Sequence, residues 1–94
     1  NNLINDKKLV LEYFDEIINN GNLEKEDSNL LKFKKAIYIS DIEKEQEILK
    51  LLNPIINSGS VWKNQVLNFL GQFYISNNQP QKANQYYSLL SEGN

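Results

Sequence analysis

With 94 residues, a formal charge of -2 and 40% hydrophobic side chains, the chain has material for one domain around a single modest core. The absence of cysteine and histidine excludes disulfide frameworks, the usual zinc ligands and every nucleophile that needs an imidazole, and no cofactor pattern is present. All ten basic residues are lysine, so the forked contacts by which arginine reads phosphate and guanine are missing, and the acidic balance argues against a nucleic-acid partner.

No apolar run approaches the roughly 18 to 20 residues that span a bilayer. The sequence opens on Asn1-Asn2 rather than methionine and reads as a piece of a longer protein, with any signal or anchor upstream. Apolar residues recur at three- and four-residue spacing in five stretches, which predicts five helices and no strand. The first begins near Asn5 or Asp6, turns Val10, Tyr13, Phe14, Ile17 and Ile18 to one side, and stops at Gly21, a residue that accepts the left-handed conformation. The second runs from Glu24 or Ser28 to Ile39, with Leu30, Phe33, Ile37 and Tyr38 inward.

Ser40-Asp41-Ile42-Glu43 has capping-box spacing and predicts the start of a third helix carrying Ile48, Leu51, Leu52 and Ile55. Pro54 disfavours helical geometry at Asn53, so a stop or kink is expected there, with Asn57-Ser58-Gly59 completing the turn. Ser60 caps a fourth helix that reaches Ser76 and is apolar on most sides, as a helix packed between neighbours is. Pro80 at a first helical position opens a fifth, with Ala83, Tyr86, Tyr87 and Leu90 on its stripe. Residues 91–94 read as a frayed tail.

The stretches repeat. Leu30-Leu31-Lys32-Phe33-Lys34-Lys35-Ala36-Ile37-Tyr38-Ile39-Ser40 aligns without gaps on Val66-Leu67-Asn68-Phe69-Leu70-Gly71-Gln72-Phe73-Tyr74-Ile75-Ser76. Ile48, Leu51, Leu52 and Ile55 align on Ala83, Tyr86, Tyr87 and Leu90 at an interval of about 35 residues. The unit is a helix hairpin, and the fold class expected for residues 1–94 is all-α, a single domain of stacked antiparallel hairpins.

Leu70-Gly71, Tyr74, Ala83 and Tyr87 stand at the spacing of the tetratricopeptide pattern, in which a small residue on the first helix lets the second approach and aromatics fill the space beside it. In the earlier unit Lys34-Lys35 occupies the place of Leu70-Gly71, and Leu67 stands where that family often has tryptophan. From Leu52-Asn53-Pro54 through Val61-Trp62-Lys63 and Leu70-Gly71 to Lys82-Ala83, the chain resembles the C-terminal half of YfgM-type proteins, membrane-anchored tetratricopeptide-like accessories of the bacterial Sec translocon. The resemblance implies an N-terminal membrane anchor outside this sequence, a periplasmic domain, and contacts with other envelope proteins.

It also implies a concave face built from the first helix of each hairpin. Carried over residue by residue, that face comprises Lys32, Ala36 and Ile39 in one unit and Gln65, Asn68, Gln72 and Ile75 in the next. A neutral, amide-rich surface suits an extended peptide backbone and lacks the cations that clamp a terminal carboxylate. Phe69, Tyr74 and Tyr87 read as core, whereas Trp62 either plugs the junction between hairpins or stands exposed. Asp41, Glu43, Glu45 and Glu47 alternate along a helix and so do not converge on a metal; they read as a solvated face. Glu12 and Glu16 read as surface. Residues 60–94 carry two lysines and one acid against eight lysines and eleven acids before them, so the last hairpin has little charge to keep it in water. The expected function is a protein-interaction module, scaffold or adaptor rather than an enzyme, and the alternative is a self-association domain that dimerises through the C-terminal hairpin.

Overall fold

In a computed structural model describing residues 2–41 and 45–90, the described residues form five helices and no strand. They are α1 (Asn2–Asn20), α2 (Lys25–Ile39), α3 (Glu45–Asn57), α4 (Lys63–Ser76) and α5 (Pro80–Tyr87). Each helix packs chiefly on its chain neighbours, giving the antiparallel hairpins α2–α3 and α4–α5, with α1 laid on α2. The chain is an all-α stack of helix hairpins.

Left-handed residues close three of the helices. Gly59 (φ 68) ends α3: its N–H reaches the Ile56 carbonyl while the Ser60 N–H reaches that of Ile55, so two carbonyls that the helix leaves open are satisfied. Asn78 (φ 61) ends α4 in the same way, with the Asn78 N–H on Ile75 O and the Gln79 N–H on Tyr74 O. Pro80 then sits in the first turn of α5, where its missing N–H costs nothing. After α1 it is Asn22 (φ 55), not the expected Gly21, that turns left-handed, a conformation asparagine tolerates better than most residues.

Two further expectations are corrected. Of the stop or kink expected at Pro54, the stop does not occur: α3 continues to Asn57. The turn that Pro54 occupies carries Ile55, whose complete burial offsets the lost hydrogen bond. Ser40 closes α2 rather than opening α3, since its hydroxyl donates to the Ile37 carbonyl at 2.8 Å. Glu43, its expected capping partner, lies outside the described residues, as do residues 91–94.

The core joins Phe33, Ala36 and Ile39 of α2, Ile48, Leu52 and Ile55 of α3, Val66, Leu70 and Tyr74 of α4, and Ala83 of α5. Ile37, expected inside, is 46% exposed; α2 instead turns Asn29, Phe33, Ala36 and Ile39 inward. α1 reaches the core through Leu11 and sets Phe14 against Tyr38, with ring centroids 6.1 Å apart. Tyr13 and Ile17, expected on its inner stripe, face solvent.

Candidate functional site

The start of α2 is tied to the turn that precedes α4, and one ring pair joins the two helices themselves. At their N-terminal ends the Glu26 carboxylate accepts hydrogen bonds from the Ser60 hydroxyl, the Val61 N–H (3.2 Å) and the Asn29 amide (3.1 Å). The Trp62 indole N–H donates to the Glu26 carbonyl at 3.1 Å. Trp62, open between two readings in the sequence, thus plugs the junction between hairpins. The Ser60 hydroxyl, followed by Asn29, holds the Glu26 carboxyl below its ordinary value. Midway, Phe33 meets Phe69 edge to face at 5.9 Å. Phe69 in turn stacks on Phe73 at 6.2 Å.

Toward the C-terminal ends the helices leave an open pocket of about 290 Å³, lined by Ser40 of the α2 cap, by Phe69, Gln72, Phe73 and Ser76 of α4, and by Asn77. Two phenyl rings form its apolar part, and two hydroxyls and two amides edge it. No side chain of this lining titrates near neutral pH, so the pocket offers apolar contact and hydrogen bonds rather than proton transfer.

The back of α4 is fixed by a second polar cluster. Tyr74 donates to Glu45 at 3.0 Å, Lys82 reaches the same carboxylate at 3.1 Å, and the Tyr86 ring lies parallel to Tyr74 at 5.6 Å. The Lys82 hydrogen bond, then that of Tyr74, lowers the Glu45 carboxyl, while burial, reinforced by Glu45, pushes the Tyr74 phenol up. Glu45 therefore joins α3 to α4 and α5 instead of belonging to a solvated acidic face, whereas Asp41 and Glu47 are exposed. Glu12 and Glu16 are exposed on α1.

Of the seven residues assigned to the concave face, Gln65, Asn68 and Gln72 are exposed on α4, Ile75 is 51% exposed and Lys32 is half-buried on α2. Only Gln72 borders the pocket itself. Ala36 and Ile39 are corrections: at 0% and 4% exposure they belong to the core. The cause lies next to them. Lys35 aligns on Gly71 but cannot accept the close approach that Gly71 allows, and its ammonium pairs with Asp15 of α1. Lys35, half-buried, keeps its ammonium at that pair, and the adjacent Ala36 takes the inward position.

Sequence reading missed the pocket. Phe69 was expected in the core, and Ser40 was expected to start a helix. One signal was present, because Ser40 and Ser76 are aligned, identical positions of the repeat and both line the cavity. Among the described residues no helix is long and apolar enough to cross a membrane. Comparison of the chain with protein families, with characterised proteins and with solved structures finds no match.

Proposed function

We propose that the chain is a protein-interaction module, a short tetratricopeptide-like stack whose α2–α4 groove seats an extended, uncharged segment of another protein. The observation that carries this reading is the pocket between Ser40, Phe69, Phe73 and Ser76, flanked along α4 by the exposed amides of Gln65, Asn68 and Gln72. An aliphatic side chain of the partner fills the space between the rings, and the amides and hydroxyls pair with its backbone. The resemblance to YfgM-type accessories supports a setting at the periplasmic face of the inner membrane, as a scaffold or adaptor for envelope proteins.

The double change Asn68→Glu with Gln72→Lys tests it. Both positions are exposed, so the thermal midpoint should move little, while pull-down of envelope partners by the full-length protein should be lost. A stable variant that retains those partners removes the groove as the binding surface.

A second reading, a homodimer formed through the C-terminal hairpin, has one observation in its favour. Leu89 is 50% exposed at the end of a hairpin with few charges. Sedimentation separates the two readings. A dimer at micromolar concentration that Leu89→Lys makes monomeric supports self-association, and a monomer supports the groove.

A further inference from the structure

Both α2 and α4 end at the pocket. Ser40, the cap of α2, lines it together with Ser76, the last residue of α4, and Asn77, its cap. Aligned peptide dipoles leave roughly half a negative elementary charge at a helix C-terminus. Neither helix has a basic residue in its last turn to offset that charge, and no lysine is among the residues that line the pocket. Asp41, next to Ser40 in the chain, faces Lys7 at 4.0 Å, so the negative potential comes from the helix ends rather than from a free carboxylate.

The polar groups point in the same sense. The Ser40 hydroxyl gives its hydrogen to the Ile37 carbonyl at 2.8 Å, and the Asn77 amide donates to the Phe73 carbonyl at 2.7 Å. Ser40 is left with oxygen lone pairs only, Asn77 keeps its amide oxygen, and the Ser76 hydroxyl can turn to accept. Three oxygens are thus available to a donor-bearing cation, with the rings of Phe69 and Phe73 beside them for an apolar group.

We propose that the pocket holds the free amino terminus of the bound segment, its α-ammonium at the Ser40, Ser76 and Asn77 oxygens and its aliphatic first side chain against Phe69 and Phe73. The proposal rests on the groove reading above and gives the bound segment a direction. A carboxylate end is repelled by the same two helix termini. A lysine side chain brings the same ammonium on a flexible stem, which would hold its backbone away from Gln72 at the pocket's edge. From the pocket the segment runs antiparallel to α4, past Gln72 and Asn68 to Gln65. The helix rises about 16 Å between Gln65 and Ser76, the length of about five extended residues.

The probe is a pentapeptide of one leucine followed by four alanines, amidated at its C-terminus. It is titrated into the isotope-labelled 94-residue chain at about pH 6, below the usual α-amino value of roughly 7.7 to 8.0, and followed by amide chemical shifts. One control is the same peptide N-acetylated, and a second is N-acetylated with lysine in place of leucine. Ordering so short a chain leaves little net affinity, so saturation is expected only in the millimolar range. The shifts should centre on Ser40 and residues 69–77, and both acetylated peptides should bind about tenfold more weakly. Ser76 is exposed, so Ser76→Lys should leave the far-ultraviolet spectrum unchanged, weaken the free-amine peptide about tenfold and alter the acetylated leucine peptide by no more than about twofold. Equal binding of the free and acetylated leucine peptides at the pocket overturns the proposal and leaves the groove reading standing. An acetylated lysine peptide that binds as tightly as the free amine also overturns it, assigning the pocket to a side chain instead. Free-amine binding that Ser76→Lys does not weaken overturns it as well. No shift at the pocket with any of the three peptides at tens of millimolar removes the groove reading and the proposal together.

Discussion

The Tyr87 ring fills the space that a side chain at position 71 would need: a Cβ built on Gly71 lies 2.2 Å from Tyr87 Cε1 and 2.3 Å from Cζ. The two helices of the last hairpin approach closely because one of them has no side chain at the contact. Gly71→Ala gains helix propensity worth roughly 1 kcal/mol but overpacks the ring at a cost of about 1 to 3 kcal/mol, so a net loss is expected. In a Tyr87→Ala background the same change should become neutral or stabilising. Urea melts of the four proteins in that cycle measure the coupling.

Ala83 is fully buried in the same hairpin. Ala83→Leu should cost about 1 to 3 kcal/mol by overpacking. Lys34→Glu, at an exposed position of the earlier hairpin, should stay within about 0.5 kcal/mol. Equal denaturation midpoints for the two variants would show that Ala83 has room around it.

Trp62 links the hairpins through its indole N–H, so Trp62→Phe keeps most of the ring and removes the bond to the Glu26 carbonyl. A loss of about 1 to 2 kcal/mol is expected, part of it the hydrogen bond and part the smaller ring. Urea melts followed by circular dichroism check it.

The two interhelical carboxylates set the behaviour in acid. Glu26, held low first by Ser60, and Glu45, held low first by Lys82, both stay ionised below the pH at which the same groups protonate in the unfolded chain. The unfolded chain therefore binds more protons in that window. Their contribution is present above the ordinary value of 4.5 and disappears as the pH falls through the lowered folded values. Glu26→Gln with Glu45→Gln should lower the urea midpoint at neutral pH and flatten its decline below about pH 5. Tyr74 acts in the opposite sense: its phenol is pushed above 10, so its contribution is present below that pH and is lost as the pH rises beyond it.

Helix existence was readable because apolar spacing reports a buried face directly, and the two hairpins emerged from a repeat whose first helices align without gaps. The end of α4 was equally legible, since Pro80 admits few roles other than a first helical turn. What failed was rotation about the helix axis. Ile37 and Ala36 are neighbours, and hydrophobicity alone prefers isoleucine inside; the packing of α2 chose alanine and left Ile37 46% exposed. The concave face inherited that error at Ala36 and Ile39, while its α4 members, placed against the better-conforming unit, stand on the surface as expected. The interhelical roles of Glu26 and Glu45 were hidden because their partners lie 29 to 37 residues away, beyond any local pattern.

Those separations also describe how the chain can assemble. The Glu26 bonds to Ser60 and Val61 close loops of 34 and 35 residues, and Lys82 to Glu45 one of 37, each about one repeat long. Closing such a loop costs little more chain entropy than forming a hairpin, so no distant ends need to meet before the core begins to form. A chain wired this way can zip from either hairpin and open from either end. It can also lengthen or shorten over evolution by whole hairpins, because a unit added at one end leaves the joints of the others where they were.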